Sequence, residues 1–350
     1  MISLIAFLIV IGICVMSHEG GHYWAARFRN VLIHEYSFGM GPVLWSSKKG
    51  ETQYSVRAFP IGGFVKLEGE DAEDEDEPTE KPENYDPSRS LANKKPWERI
   101  LIIGAGAAVN IILAWLLTAI FLSGHGTYDL GTPKIGKVME DTPAYTSGLK
   151  SGDIIKEIDG QKLAEWSDIR KNIQREDKDG DRFEIVVERN GEEKNITADI
   201  PVKDKETGRM LGVQPSFVKY PFITALHKAF AYSWNMSVDI LKGLWMMITG
   251  QTKADVAGPV GIASMAGSAF REGFWTFIAF LGIINLNLGL INLLPFPALD
   301  GGRIIFIAVE LVTRRKIPQR VETMIHYAGF VILIALILFV TGKDIYRLFG

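Results

Sequence analysis

The stretch from Ile2 to Ala26 reads ISLIAFLIVIGICVMSHEGGHYWAA. It is almost wholly apolar apart from the group Ser17, His18, Glu19 and His22. A helix needs about 20 apolar residues to cross the hydrocarbon core of a bilayer, so this run predicts a membrane span. Ionisable side chains inside a span are costly and mark function by default, and three of them fall here within five positions. The run lacks the basic start and the small-residue cleavage site of a signal peptide. It also leads straight into the histidines, so a retained span is expected.

His18-Glu19-Gly20-Gly21-His22 has the H-E-x-x-H spacing. Residues four apart share one face of a helix, so the two imidazoles can hold one zinc ion, with bonds of about 2.0–2.1 Å. Glu19 then lies near the open coordination position and can act as a general base on water attacking a peptide carbonyl. The bland alternative is two helical histidines beside a surface glutamate. It leaves three polar groups in an apolar span without a compensating partner, which a metal supplies.

Three further apolar runs follow: Ile100 to Ser123, broken by Asn110; Phe274 to Leu294, carrying Asn285, Asn287 and Asn292; and Tyr327 to Val340. The first two reach spanning length, and the last does so if His326 or the residues after Val340 share the span. The expected architecture is a polytopic α-helical membrane protein of four transmembrane helices, at 1–26, 97–124, 274–302 and 326–346. Lys and Arg near the spans set orientation. Arg27, Arg29, Lys48, Lys49, Arg57, Lys66, Lys94, Lys95 and Arg99 follow the first span, and Arg303, Arg314, Arg315, Lys316 and Arg320 precede the last. Both segments are expected in the cytoplasm, which puts the N-terminus, 124–222 and the C-terminus outside.

Between the spans, 27–67 alternates polar and apolar residues and is punctuated by Gly39, Gly41, Pro42, Pro60, Gly62 and Gly63, reading as a cytoplasmic-side, membrane-associated β element. Glu68 to Asp86 holds eleven acidic residues; such a block repels itself, and a disordered linker is expected over 68–96. Region 127–213 reads as a small α/β domain, with a hairpin turn at Asn190-Gly191 and a short helix opening on Pro143. Residues 221–250 read as an amphipathic surface helix, and 303–325 as a cytoplasmic helix and loop. The net charge of −3 and the lack of a dense basic patch give no sign of nucleic acid. Cys14 is the single cysteine, so no internal disulfide can form.

A catalytic zinc usually takes three protein ligands and water. The third candidate is Asp300, in Asn292-Leu293-Leu294-Pro295-Phe296-Pro297-Ala298-Leu299-Asp300-Gly301-Gly302. Two prolines and two glycines break helix there, and irregular backbone at membrane depth survives only when buried in protein or lining a wet cavity. A helix N-cap is the alternative role for Asp300.

The paired motifs, His18-Glu19-Gly20-Gly21-His22 in the first span and Asn292-x-x-Pro295-x-Pro297-x-x-Asp300-Gly301 after the third, resemble the site-2 protease family of intramembrane zinc metalloproteases, in its bacterial RseP-type branch. Phe38-Gly39-Met40-Gly41-Pro42, Pro60-Ile61-Gly62-Gly63-Phe64-Val65-Lys66 and Lys95-Pro96-Trp97-Glu98-Arg99 agree with it. The resemblance implies one Zn2+ held by His18, His22 and Asp300, Glu19 as general base, and Asn287, Asn292, Pro295, Pro297, Gly62 and Gly63 around the substrate. For Asn287 and Asn292, bonding between helices is the competing role. Asp141-Thr142-Pro143-Ala144 through Gly148 to Ile155 resembles a single inserted PDZ domain of the bacterial permuted kind, extracytoplasmic, gating or binding substrate. Gly104-Ala105-Gly106-Ala107-Ala108-Val109-Asn110 departs from the family's glycine-proline before the asparagine. The implied location is the bacterial cell membrane, multi-pass, with the active site toward the cytoplasm. The implied substrates are single-span membrane proteins, such as anti-sigma factors, or remnant signal peptides, cut within their transmembrane helices. A silent PDZ-bearing adaptor and a zinc transporter are the rival classes; the intact Glu19 and Asp300 speak against the first, and the second predicts metal flux without cleavage.

Overall fold

The computed structural model describes residues 1–70, 85–175, 180–204, 208–252, 257–315 and 317–349. In chain order the elements are α1 (Ile2–Phe28), β1 (Ile33–Lys49), β2 (Thr52–Leu67), α2 (Pro96–Gly124), β3 (Thr127–Tyr128), β4 (Ile135–Val138), α3 (Pro143–Thr146), β5 (Ile154–Ile158), β6 (Gln161–Lys162), α4 (Trp166–Ile173), β7 (Arg182–Arg189), β8 (Glu192–Asp199), β9 (Val202–Asp204), β10 (Gly208–Arg209), β11 (Val213–Pro215), β12 (Phe217–Val218), α5 (Phe222–Ile248), α6 (Pro259–Glu272), α7 (Phe274–Asn292), α8 (Asp300–Thr313) and α9 (Gln319–Phe349). They form two compact units, one of 1–121 with 223–350 and one of Leu122–Phe222.

In the first unit, four helices are long and apolar enough to cross a membrane: Ile2–Phe28, Pro96–Gly124, Phe274–Asn292 and Arg320–Arg347. On the last, Phe330, Ile332, Leu336, Leu338 and Phe339 stay exposed, a surface that suits lipid tails rather than water. Helix α6 has no counterpart among the segments expected from sequence. It starts on Pro259 after Gly258 and stops at Gly273, whose φ of 122° is open to glycine. Its buried Ala266, Gly267 and Ala269 let it lie close against α1, where a Cβ on Gly267 would come within 2.1 Å of Ser3 Oγ. Ala266 and Ala269 join Ala6, Val10, Cys14, Leu117, Phe277, Phe280 and Leu281 in one apolar core.

The β element is one hairpin folded on itself into the short strands and turns expected: 33–38 pairs antiparallel with 63–67 on one side and lies along 53–56 in the same direction on the other, and 52–57 pairs antiparallel with 43–49. Both strands bend at their glycines, so that Tyr36 lies opposite both Val65 and Tyr54, and Ser37 opposite both Phe64 and Ser55. The positive φ values of Gly39 (87°), Gly41 (83°) and Gly62 (93°) permit those bends. Inside the fold, Arg57 holds Glu35 with Nη2 at 2.8 and 3.0 Å from its two carboxylate oxygens, and Ser55 donates to the same carboxylate.

The acidic linker is anchored at both of its ends, and its stretch 71–84 lies outside the described residues. Glu68 is buried and bonded to His34 at 2.7 Å. Residues Pro87–Arg89 and Leu91–Asn93 form two turns of 3-10 helix, and Leu91 is buried with Val65, Leu67 and Ile102. The charges at the linker's ends are therefore paired and its one large apolar side chain is used, which composition averaged over the block hides.

The second unit has the PDZ-like elements expected. Its four-stranded sheet runs in the order β6-β5-β7-β8. Asn190 (φ 56°) and Gly191 (φ 82°) make the tight turn of the β7–β8 hairpin. The return strand runs from Glu192 to Asp199 and ends before Pro201. Phe183, Ile185 and Val187 face α4 and its buried Ile169 and Ile173. A capping box formed by Glu165 and Asp168 starts α4. Asp153, fully buried, accepts from Arg189 Nε and Nη2, both at 2.7 Å, and from the Lys150 N–H at 2.8 Å. Burial alone would raise its carboxyl. Those donors outweigh burial and hold it below the usual aspartate value.

Candidate metal centre

Three elements converge on the site: α1 brings His18, Glu19 and His22, α8 brings Asp300 on its first residue, and α2 closes one side. His18 Nε2 lies 3.2 Å from His22 Nε2 and 3.3 Å from Asp300 Oδ2, and His22 Nε2 lies 3.5 Å from the same oxygen. A tetrahedral ion with bonds of about 2.0–2.1 Å needs ligand atoms roughly 3.3 Å apart, so this triangle has the dimensions of three corners of such a site. The chemistry of the donors agrees. His22 Nδ1 lies 3.0 Å from the carbonyl of Ile102. A carbonyl only accepts, so Nδ1 carries the proton and Nε2 presents its lone pair to the centre. Buried Asp300 Oδ2 accepts no hydrogen bond among the described residues. Two imidazoles, one of them with its lone pair fixed toward the centre, and one carboxylate are a set that could hold a divalent cation.

Glycines make the convergence possible. A Cβ on Gly21 would lie 2.4 Å from Ala105 O, and one on Gly106 would lie 2.4 Å from His22 Nε2 and 2.9 Å from His18 Cε1. Gly21 lets α1 touch the α2 backbone, and Gly106 leaves room for both rings. A Cβ on Gly301 would meet Leu294 O at 2.2 Å, and one on Gly302 would meet Phe296 O at 2.4 Å. The double glycine thus lets the first turn of α8 fold down on the preceding loop. Asp300 occupies the first helical position, and Leu299 is the cap; the N-cap alternative does not describe it.

The remaining residues singled out in the sequence divide. Asn292 ends α7 with Nδ2 at 3.5 Å from both ring nitrogens of His18. Gly63 sits against α1, where an added Cβ would lie 3.4 Å from Glu19 Cγ and 3.1 Å from Val15 Cγ1. This places one edge of the hairpin beside Glu19. Gly62 lies one residue away, under Met40. Asn287 is half-buried on α7, and its side chain makes no hydrogen bond among the described residues. Pro295 is exposed, whereas Pro297 packs against Gly329 of α9. Gly106 belongs to the glycine-rich stretch that departs from the family pattern in sequence, and its place there is a signal of close helix approach, but nothing in the sequence ties it to the two imidazoles.

A polar node lies directly beside the donors, at Ser17, the residue before His18. Ser17 Oγ contacts Asn110 Oδ1 at 2.6 Å, Asn285 Oδ1 at 3.3 Å and Cys14 O at 2.9 Å. Asn110 and Asn285 are both fully buried, so this serine joins α1, α2 and α7 inside the apolar layer.

The model of peptidase family M50 matches residues 6–336. A relative from Clostridium acetobutylicum is 32% identical over 348 residues, covering 98% of this chain and 97% of its own. A zinc metalloprotease RasP from Geobacillus kaustophilus is 30% identical, covering 99% and 98%. The regulator of sigma-W protease RasP from Bacillus subtilis is 29% identical, covering 99% of each. The crystal structure of the PDZ domain of an SdrC-like protein from Listeria innocua aligns with 24% of this chain and 92% of its own, at 26% identity and a TM-score of 0.21. With the H-E-x-x-H helix, the aspartate loop and a family match over almost its whole length, the chain belongs to peptidase family M50, the site-2 proteases.

Proposed function

We propose that this protein is an intramembrane zinc metalloendopeptidase that hydrolyses peptide bonds within the transmembrane helices of single-span membrane proteins. The observation that carries the reading is the triangle of His18 Nε2, His22 Nε2 and Asp300 Oδ2 beside Glu19, in a helix of membrane-spanning length. Zinc held by these three groups supplies a Lewis acid that polarises water and the scissile carbonyl. Glu19 serves as the general base: its carboxylate accepts a proton from the attacking water and returns it to the departing amine. Asn292, beside His18, is positioned to donate to a substrate carbonyl; the resemblance assigns Asn287, Pro295 and Pro297 to the substrate as well. A helix hides its carbonyls in its own hydrogen bonds, so the substrate has to unwind locally first. The hairpin edge at Gly62 and Gly63, packed next to Glu19, offers a strand against which the unwound segment can pair.

The substrate class follows the relatives. The Bacillus subtilis relative is named a regulator of sigma-W protease, which favours anti-sigma factors already shortened outside the cell, with remnant signal peptides as a second class. The location that fits is the bacterial cell membrane, with the centre toward the cytoplasm, a side that the lysines and arginines after the first span favour. The PDZ-like unit then lies outside and gates or binds the substrate.

Metal content tests the ligand assignments. The purified full chain is expected to hold one zinc ion, and His18→Ala and Asp300→Ala are expected to lose it. An unchanged metal load in either variant removes that residue from the ligand set.

A further inference from the structure

The backbone that delivers Asp300 runs through Leu293–Leu299 without helix or strand of its own. At its end Ala298 has a φ of 75°, a left-handed conformation that residues bearing a Cβ adopt only when their surroundings impose it. Two residues of α9 impose it. Ala298 donates its N–H to His326 Nδ1 at 3.0 Å. One turn further along the same face, Gly329 is buried against Pro297, where an added Cβ would come within 2.5 Å of Pro297 Cβ and 2.6 Å of Pro297 O. The acceptor role fixes the tautomer of His326, with the proton on Nε2. Its ring also lies 5.6 Å from that of Phe306 on α8. His326 therefore touches the loop before Asp300 and the helix after it, while α9 is otherwise largely exposed.

We infer that His326 is a positioning residue for the metal centre: it fixes the Ala298 amide, and through two residues of backbone it aims the Asp300 carboxylate at His18 and His22. The inference rests on the metal-site reading above. It gives the fourth span a task in the chemistry although α9 supplies no ligand. Partners that orient a ligand typically tune metal affinity by about 10–100-fold, and a partner acting through the backbone belongs at the lower end of that range.

The test is zinc retention by the detergent-solubilised full chain against a chelator, measured beside cleavage of a single-span model substrate. His326→Leu, which has no acceptor, is expected to release zinc about tenfold more readily, with kcat falling and KM little changed. His326→Gln keeps an acceptor oxygen and is expected to restore most of both. Should His326→Leu fail to fold, Gly329→Ala separates the same contact from the other side and is expected to weaken zinc retention in the same way. Native-like retention in His326→Leu, or equal losses in the Leu and Gln variants, overturns the inference and leaves the metal-site reading standing. Native-like retention in His18→Ala overturns that reading and this inference together.

Discussion

His22 donates its Nδ1 proton to the Ile102 carbonyl of α2 across 3.0 Å, so its Nε2 lone pair is turned toward Asp300. One backbone group of the second span thus sets the tautomer of a ligand on the first. The same crossing has no space for a side chain at Gly106, where a Cβ would lie 2.4 Å from His22 Nε2. Gly106→Ala is expected to push the two rings apart and lose the metal. Misplacements of about 1 Å near reacting atoms cost on the order of 10²-fold in rate, so cleavage should fall by at least that much while the chain still inserts. Zinc stoichiometry and a cleavage assay on the purified variant check this.

The polar node at Ser17, Asn110 and Asn285 yields a stability prediction. Hydrogen bonds between membrane helices contribute about 0.6 kcal/mol on average and up to about 1.7 kcal/mol. Asn110→Ala removes the 2.6 Å contact at a fully buried position and should destabilise the helical unit by about 0.6–1.7 kcal/mol. Thermal unfolding in detergent reads the shift. A melting temperature unchanged from the native chain would show that the node does not hold the three helices together.

In the PDZ-like unit the carboxyl of Asp153 is held below its ordinary value, since Arg189 and the Lys150 amide outweigh the cost of burial. Its depressed value makes the sign plain. The pair stabilises the folded unit above the unfolded aspartate value of about 3.9, and that stability drains away as pH falls through the lower folded value. Arg189→Met leaves a buried carboxylate unpaired at neutral pH and is expected to cost about 3–5 kcal/mol. Hydrogen exchange of β5 and β7 in the full chain should rise in the variant at pH 7. The native chain should show the same rise only in strong acid.

Much of this arrangement was legible in the sequence, and the gaps have physical causes. The four apolar runs, the His18–His22 spacing and the broken backbone before Asp300 each carry a local signal, because the membrane and the metal constrain nearby residues strongly. Helix α6 was missed because its alanines and glycines bury little apolar surface of their own; it is held by close approach to α1, which hydropathy does not register. The glycines of the hairpin do divide it into short paired segments, as their turn character in the sequence suggests; what the sequence does not carry is that 33–38 pairs on both of its sides, which depends on contacts between segments far apart in the chain. Gly106 and His326 act on residues far away in the chain, and His326 in particular sits in a span whose composition shows nothing but length. Glu68 and Leu91 belong to a stretch whose average composition is that of a solvated linker, and only the local packing at its ends departs from that average.

The central claim is that Glu19 performs general-base chemistry beside a metal held by His18, His22 and Asp300. The measurement that tests it most directly reconstitutes the native chain and Glu19→Gln with a single-span model substrate and reads cleavage and zinc content together. The account predicts that the native chain cuts within the transmembrane helix, and that Glu19→Gln keeps its zinc and stops cutting. Equal cleavage by both proteins would contradict it.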